Sequence, residues 1–227
     1  MASVVLAVTG GMAGDLGEAA DPLARLVGAP AIVEFPELDD FEAPLPGVPA
    51  AWRCLQVTPD LDLAALRQRL GLTESFGLVF LDTFGNVLHR EPGVGSRRRL
   101  GVGIREFEKR QKELRARVAE LDKARGQAVA QRREGAEIEV LGQLTGLGVR
   151  GYPEVEHARQ RMVALDVARW QQLVMILAGE GLVSEQQILG RLKELLDRSP
   201  GLPVADRILR ERIRIQQGQT VERRSAP

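Results

Sequence analysis

Cys54, His89 and His157 are the only thiol and imidazole groups in a chain of 227 residues, so nucleophilic or proton-transfer chemistry would have to start with them. A thiol reacts as its thiolate, and a nearby cation or a helix N-terminus makes it reactive by lowering its pKa. Cys54 lies in the run Trp52–Val57, which reads as a short strand. Successive strand side chains point to opposite faces, so Arg53 turns away from Cys54 and does little for its thiolate. The expectation is a buried, structural thiol. Cys54 is the candidate catalytic residue only if the chain is a single-cysteine thiol enzyme or a redox sensor. One cysteine excludes an intrachain disulfide and a cysteine-only metal site, and two histidines far apart in sequence make no zinc centre. No metal site is expected, and no serine, histidine and aspartate form a catalytic set.

Two other stretches have spacing that could do chemistry. Thr9-Gly-Gly-Met-Ala-Gly-Asp-Leu-Gly17 follows the apolar run Val4–Val8 and precedes a helical pattern. Glycines in that setting let a pyrophosphate approach a helix N-terminus. Gly10, Gly11, Gly14 and Gly17, with Glu34 as a ribose ligand, are therefore the candidate cofactor-binding residues of a nucleotide-binding alternative. The spacing departs from G-x-G-x-x-G, and Asp15 would place an anion beside the phosphates. The preferred reading is a plain strand–turn–helix connection with no cofactor. Arg97, Arg98 and Arg99 form a candidate polyanion or docking patch. Few aromatic residues follow them for stacking, so a solvated face is preferred and nucleic acid is not the expected partner. The acidic stretch Glu37, Asp39, Asp40 and Glu42 lacks the spacing of a calcium loop and reads as a solvated loop.

The elements that must position these residues change character along the chain. Val4–Val8, Ala31–Phe35 and Trp52–Val57 read as strands, with helices over Leu16–Val27 and Leu63–Leu70. Asp60 or Asp62 can cap the second helix and Gly71 can end it. Gly77–Leu81, the turn Asp82–Gly85 and the return strand Val87–His89 form the clearest hairpin. Residues 91–103 contain one proline, four glycines and three consecutive arginines, with no apolar period. After them the chain reads as helix. Ile104, Phe107, Leu114, Val118 and Leu121 fall on a heptad seam, and Ile138, Leu141, Leu144 and Leu147 restart an apolar face. Pro153 suits a helix start, Ser184-Glu-Gln-Gln187 matches a capping box, and a last helix runs from about Val204 to Gln216.

At the hairpin the chain resembles a known family. Residues 54–93 look like the second half of a thioredoxin-like domain. Gly71-Leu72, Leu78–Leu81, Asp82, Gly85, Arg90 and Gly93 stand where that family has a helix end, an apolar strand, an Asp-x-x-Gly hairpin and a glycine before the last helix. Residues 1–53 fit loosely. The resemblance implies an α/β domain with a mixed sheet and flanking helices, but without redox chemistry. No Cys-x-x-Cys follows either early strand, and Ser75-Phe76 stands where redox members carry a proline before the apolar strand. Leu141–Gly148 with Gly151-Tyr-Pro-Glu-Val-Glu-His-Ala158 is similar to one tetratricopeptide-type helical hairpin, with no second copy at that period.

The fold class expected is thus an α/β N-terminal domain followed by an all-α C-terminal domain. The expected boundaries are a thioredoxin-like domain over 1–93, a Gly/Arg-rich linker over 94–103, a helical domain over 104–217 and a disordered tail over 218–227. The formal net charge of zero hides a division: residues 1–96 carry five bases against thirteen acids, −8, and residues 97–227 carry +8. Four lysines stand against twenty-seven arginines, and the codon usage of a GC-rich genome is the preferred reading over selection for guanidinium chemistry. No apolar run is long enough for a membrane span, and Met1–Val8 does not read as a signal peptide, so a cytoplasmic protein without membrane contact is expected. The functional expectation is a non-catalytic interaction or scaffold protein. Its partner would be another protein or a second copy, engaged through helices in 104–178.

Overall fold

The computed structural model describes residues 5–7, 23, 26–35, 45, 47–57, 63–73, 77–93, 96–179 and 184–217. The turn carrying Gly10, Gly11, Gly14 and Gly17, the acidic residues Glu37 to Glu42, Asp60, Asp62 and the tail 218–227 lie outside them, as does most of the helix read over Leu16–Val27. Contacts cluster into two compact units that divide between Ala116 and Arg117.

The first unit is built on a mixed sheet. Its strands are β1 (Val5–Ala7), β2 (Ala31–Phe35), β3 (Arg53–Gln56), β4 (Gly77–Leu81) and β5 (Val87–Pro92), with helix α1 (Leu63–Leu70) between β3 and β4. The spatial order is β1-β3-β2-β4-β5. β3 lies parallel to both β1 and β2, while β4 runs antiparallel to β2 and β5 antiparallel to β4. β2 and β4 are buried along their whole length, which their unbroken apolar runs Ala-Ile-Val and Leu-Val-Phe-Leu require of strands covered on both faces. On one face Val33, Phe35, Leu55, Val79 and Leu81 pack with Leu66 and Leu70 of α1. On the other, Ile32, Cys54, Leu78 and Phe80 pack with Trp52, Leu100 and Phe107. Trp52 meets Phe80 and Phe107 edge-on at 6.5 and 4.7 Å between ring centroids, the geometry that the charge distribution of aromatic rings favours.

The β4–β5 hairpin forms as the sequence predicts. Asp82, fully buried, holds its turn: Oδ1 accepts from the backbone N–H of Phe84 and of Asn86, each at 2.9 Å. The Asn86 amide donates to both carboxylate oxygens. The return strand reaches Pro92, three residues past the expected end.

The segment read as a flexible linker over 94–103 is helical from Ser96 onward. Ser96–Arg99 forms a 3₁₀ turn that runs directly into α2 (Leu100–Ala130). Its glycines mislead a reading by composition, because Gly103 serves packing. A Cβ at Gly103 would overlap the Phe80 ring, so this glycine lets α2 sit close on the sheet. The division between the compact units falls inside α2 and not at this segment.

The second unit consists of the end of α2 with α3 (Glu134–Gly146), α4 (Pro153–Leu177), α5 (Glu185–Asp197) and α6 (Pro203–Gln216). Arg132, at φ +54°, breaks the chain between α2 and α3. Ser184 caps α5 by accepting from the Gln187 N–H at 3.3 Å. Ile138, Leu141 and Leu144 of α3, Val155, Ala158, Leu165 and Leu173 of α4, Leu192 and Leu195 of α5, and Val204, Ile208 and Ile215 of α6 form its interior. Polar groups fix the packing as well. Asp166 of α4 accepts from the Val204 N–H at 2.8 Å, which caps the first turn of α6 from another helix. Glu134 of α3 pairs with the buried Arg169 of α4 and with Arg198, and Glu137 pairs with Arg161 at 2.9 Å. The expected fold class, an α/β N-terminal part followed by an all-α part, is the one observed.

Candidate functional site

The chemistry-bearing residues of the first unit gather on the α2 side of the sheet. Strand pairing sets Cys54 beside Ile32, and alternation along β2 brings Glu34 to the same face. A glutamate at 1% exposure inside a sheet needs a partner, since an unpaired buried charge is strongly unfavourable. Arg97 of the 3₁₀ turn supplies it. Its Nε donates to Oε1 of Glu34 at 2.5 Å and its Nη2 to Oε2 at 3.0 Å, a two-pronged pairing that a planar guanidinium makes and an ammonium cannot.

Cys54 is 6% exposed, and its thiol is pushed up from 9.0 to about 11. Burial is the main cause. The Glu34 carboxylate raises it further, and Arg97 partly offsets that. The thiol stands on strand β3, and at neutral pH it holds its proton. The arrangement suits a structural thiol and works against a nucleophile.

Two of the three arginines read as a surface patch are engaged inside the unit. Arg97 is tied to Glu34, and Arg99 pairs with Glu91 at 3.0 Å and donates to the Pro92 carbonyl. Arg98 is exposed. The structure thus separates the three residues, because a 3₁₀ turn sends successive side chains in different directions. Glu34, the candidate ribose ligand, is buried and held by Arg97, so its carboxylate is committed to an ion pair.

His89 is 8% exposed beside Phe80, with Nε2 2.9 Å from Glu91 Oε1. His157 is exposed on α4. The two histidines lie in different units, His89 in the first with Cys54 and His157 in the second. Among the described residues no group of three histidine, cysteine, aspartate or glutamate side chains could hold a metal ion. No helix among them is long and apolar enough to cross a membrane.

The second unit offers a surface that the sequence reading passed over. α4 buries Val155, Ala158, Leu165 and Leu173, while Val163, Val167, Trp170, Val174 and Met175 are each about half exposed or more. The signal was available, because from Met162 to Gly179 the only charged residues are Asp166 and Arg169, and both are engaged within the unit.

Comparison with known proteins returns no match: no family model, no curated protein and no solved structure matches the chain.

Proposed function

We propose that this protein acts by binding and not by catalysis, as an interaction or scaffold protein that joins a redox-inactive thioredoxin-like domain to a helical binding region. The single observation that carries the reading is the state of Cys54: the one thiol of the chain is buried, on a strand, with its pKa pushed up to about 11. A mixed sheet that ends in an antiparallel hairpin, with α1 on one face and α2 on the other, is consistent with the thioredoxin-like resemblance. Redox members of that family act through a Cys-x-x-Cys pair, and this chain has one cysteine in all. The uncharged, apolar side of α4 supplies a surface for the binding role.

Reduction of a disulfide substrate by the full chain tests this. The expected result is no turnover above the background of the assay thiol. Turnover that Cys54→Ser abolishes would overturn the reading.

A further inference from the structure

We infer that Arg99 and Arg110 close the outer edge of β5 against strand addition, so that a second copy of this chain does not extend the sheet there. β5 stands last in the strand order, with β4 on one edge, and no strand among the described residues pairs with the other. An edge strand offers a row of backbone donors and acceptors to any extended chain. A second copy carries the same row, and two like edges can pair across a two-fold axis.

Three features spoil that row here. Arg110 of α2 donates from Nη1 to the Leu88 carbonyl at 2.9 Å, and Arg99 donates from Nη2 to the Pro92 carbonyl at 2.7 Å. Two acceptors that an incoming strand would use are therefore already engaged. Pro92 has no N–H to give it. The register with β4 also shifts between the pairs Leu81–Val87 and Phe80–His89, so Leu88 falls outside the pairing. A bulge of this kind bends the strand and breaks the even spacing that a docking strand would match.

The arginines are held in place. Arg99 Nε pairs with Glu91 Oε2 at 3.0 Å, while the other oxygen of Glu91 lies 2.9 Å from His89 Nε2. One planar guanidinium thus meets a carboxylate and a carbonyl together, which suits arginine better than lysine. Arg99 and Arg110 are separated by about three turns of helix, so one side of the segment delivers both. Gly103 stands on that side, close against the Phe80 ring. The close seat of α2 on the sheet is what brings both side chains to the strand. A second copy approaching this edge has to displace both hydrogen bonds, and it brings its own two arginines against them.

Sedimentation velocity of the full chain over a range of concentrations tests this, on wild type, on the double variant Arg99→Ala with Arg110→Ala, and on a control, Arg98→Ala with Arg105→Ala. The control removes the same charge from exposed positions of the same segment. Hydrogen exchange of the associated form locates the contact. The expected result is that the Arg99/Arg110 variant associates at a concentration at least tenfold lower than wild type or the control, with slowed exchange in β5 and unchanged protection in β2 and β4. Arg110→Ala alone leaves the Glu91 pairing of Arg99 intact, and it carries the test if the double variant does not fold. It is expected to associate at a concentration at least threefold lower than wild type. Association no stronger than the control's overturns the inference. So does association accompanied by loss of protection in β2 and β4, because unfolding and not an opened edge would then drive it.

Discussion

At the scale of single residues, the account turns on Glu34, Arg97 and Cys54. Glu34 sits at 1% exposure with Arg97 as its two-pronged partner. Truncating the arginine leaves a buried carboxylate without that pairing, and loss of one member of a buried pair costs about 3 kcal/mol. Arg97→Ala is therefore expected to lower unfolding stability by that amount in a denaturant titration, and Arg98→Ala, on the exposed neighbour, to leave it within about 0.5 kcal/mol. Equal effects at the two positions would contradict the pairing. Cys54 gives a pH dependence with a definite sign. Its folded pKa, about 11, lies above its ordinary value of 9.0, so the unfolded chain loses the thiol proton first. The contribution is whole below pH 9 and is lost as pH rises toward 11, by about 2 to 3 kcal/mol. Cys54→Ala removes that part of the alkaline decline, so the wild-type and variant stability curves should converge between pH 9 and 11.

At the scale of elements, the contacts on the α2 side of the sheet decide where the helix begins. Gly103 lies against Phe80, with no room for a Cβ between helix and ring. In a free helix glycine to alanine gains about 0.5 to 1 kcal/mol, but overpacking a core costs about 1 to 3 kcal/mol. Gly103→Ala is expected to be net destabilising in thermal unfolding, while Gly126→Ala, whose Cβ meets nothing within 4 Å, is expected to stabilise. A gain at both positions would show that α2 does not rest closely on Phe80.

This element also marks how far the sequence could be read. The strands of the sheet, the Asp82 turn, the start of α4 at Pro153 and the Ser184 cap were legible, because each rests on local chemistry: alternation, a side-chain acceptor, a ring that fixes φ. The start of α2 was not. Ser96–Gly103 looks flexible by composition, and only the Phe80 ring and the Glu34 carboxylate, more than sixty residues away in the case of Glu34 and Arg97, explain its order. The role of Arg97 was hidden for the same reason. In three consecutive arginines nothing local tells which one a buried glutamate will capture. The exposed apolar row of α4 was legible in principle, since Val163, Val167, Trp170 and Val174 recur at helical spacing, but it competes with the buried period of the same helix.

At the scale of the whole molecule, the division of charge and the division of structure do not coincide. The sequence changes sign of charge between residues 96 and 97, yet Glu34 and Arg97 are joined across that line inside one compact unit. The compact units part further on, between Ala116 and Arg117. One unit thus holds the chain's only thiol out of reach, and the other presents its charge-free helix face to solvent. On the proposed reading the protein acts by binding and not through that thiol. The alkylation rate of Cys54 in the native chain at pH 8, compared with the same chain unfolded, tests that claim most directly, because a lone cysteine makes the signal unambiguous. A pKa of about 11 instead of 9.0 leaves roughly a hundredfold less thiolate, and burial slows the reagent further. The account predicts native alkylation at least about a hundredfold slower than unfolded. A native rate equal to or faster than that of the unfolded chain would contradict it.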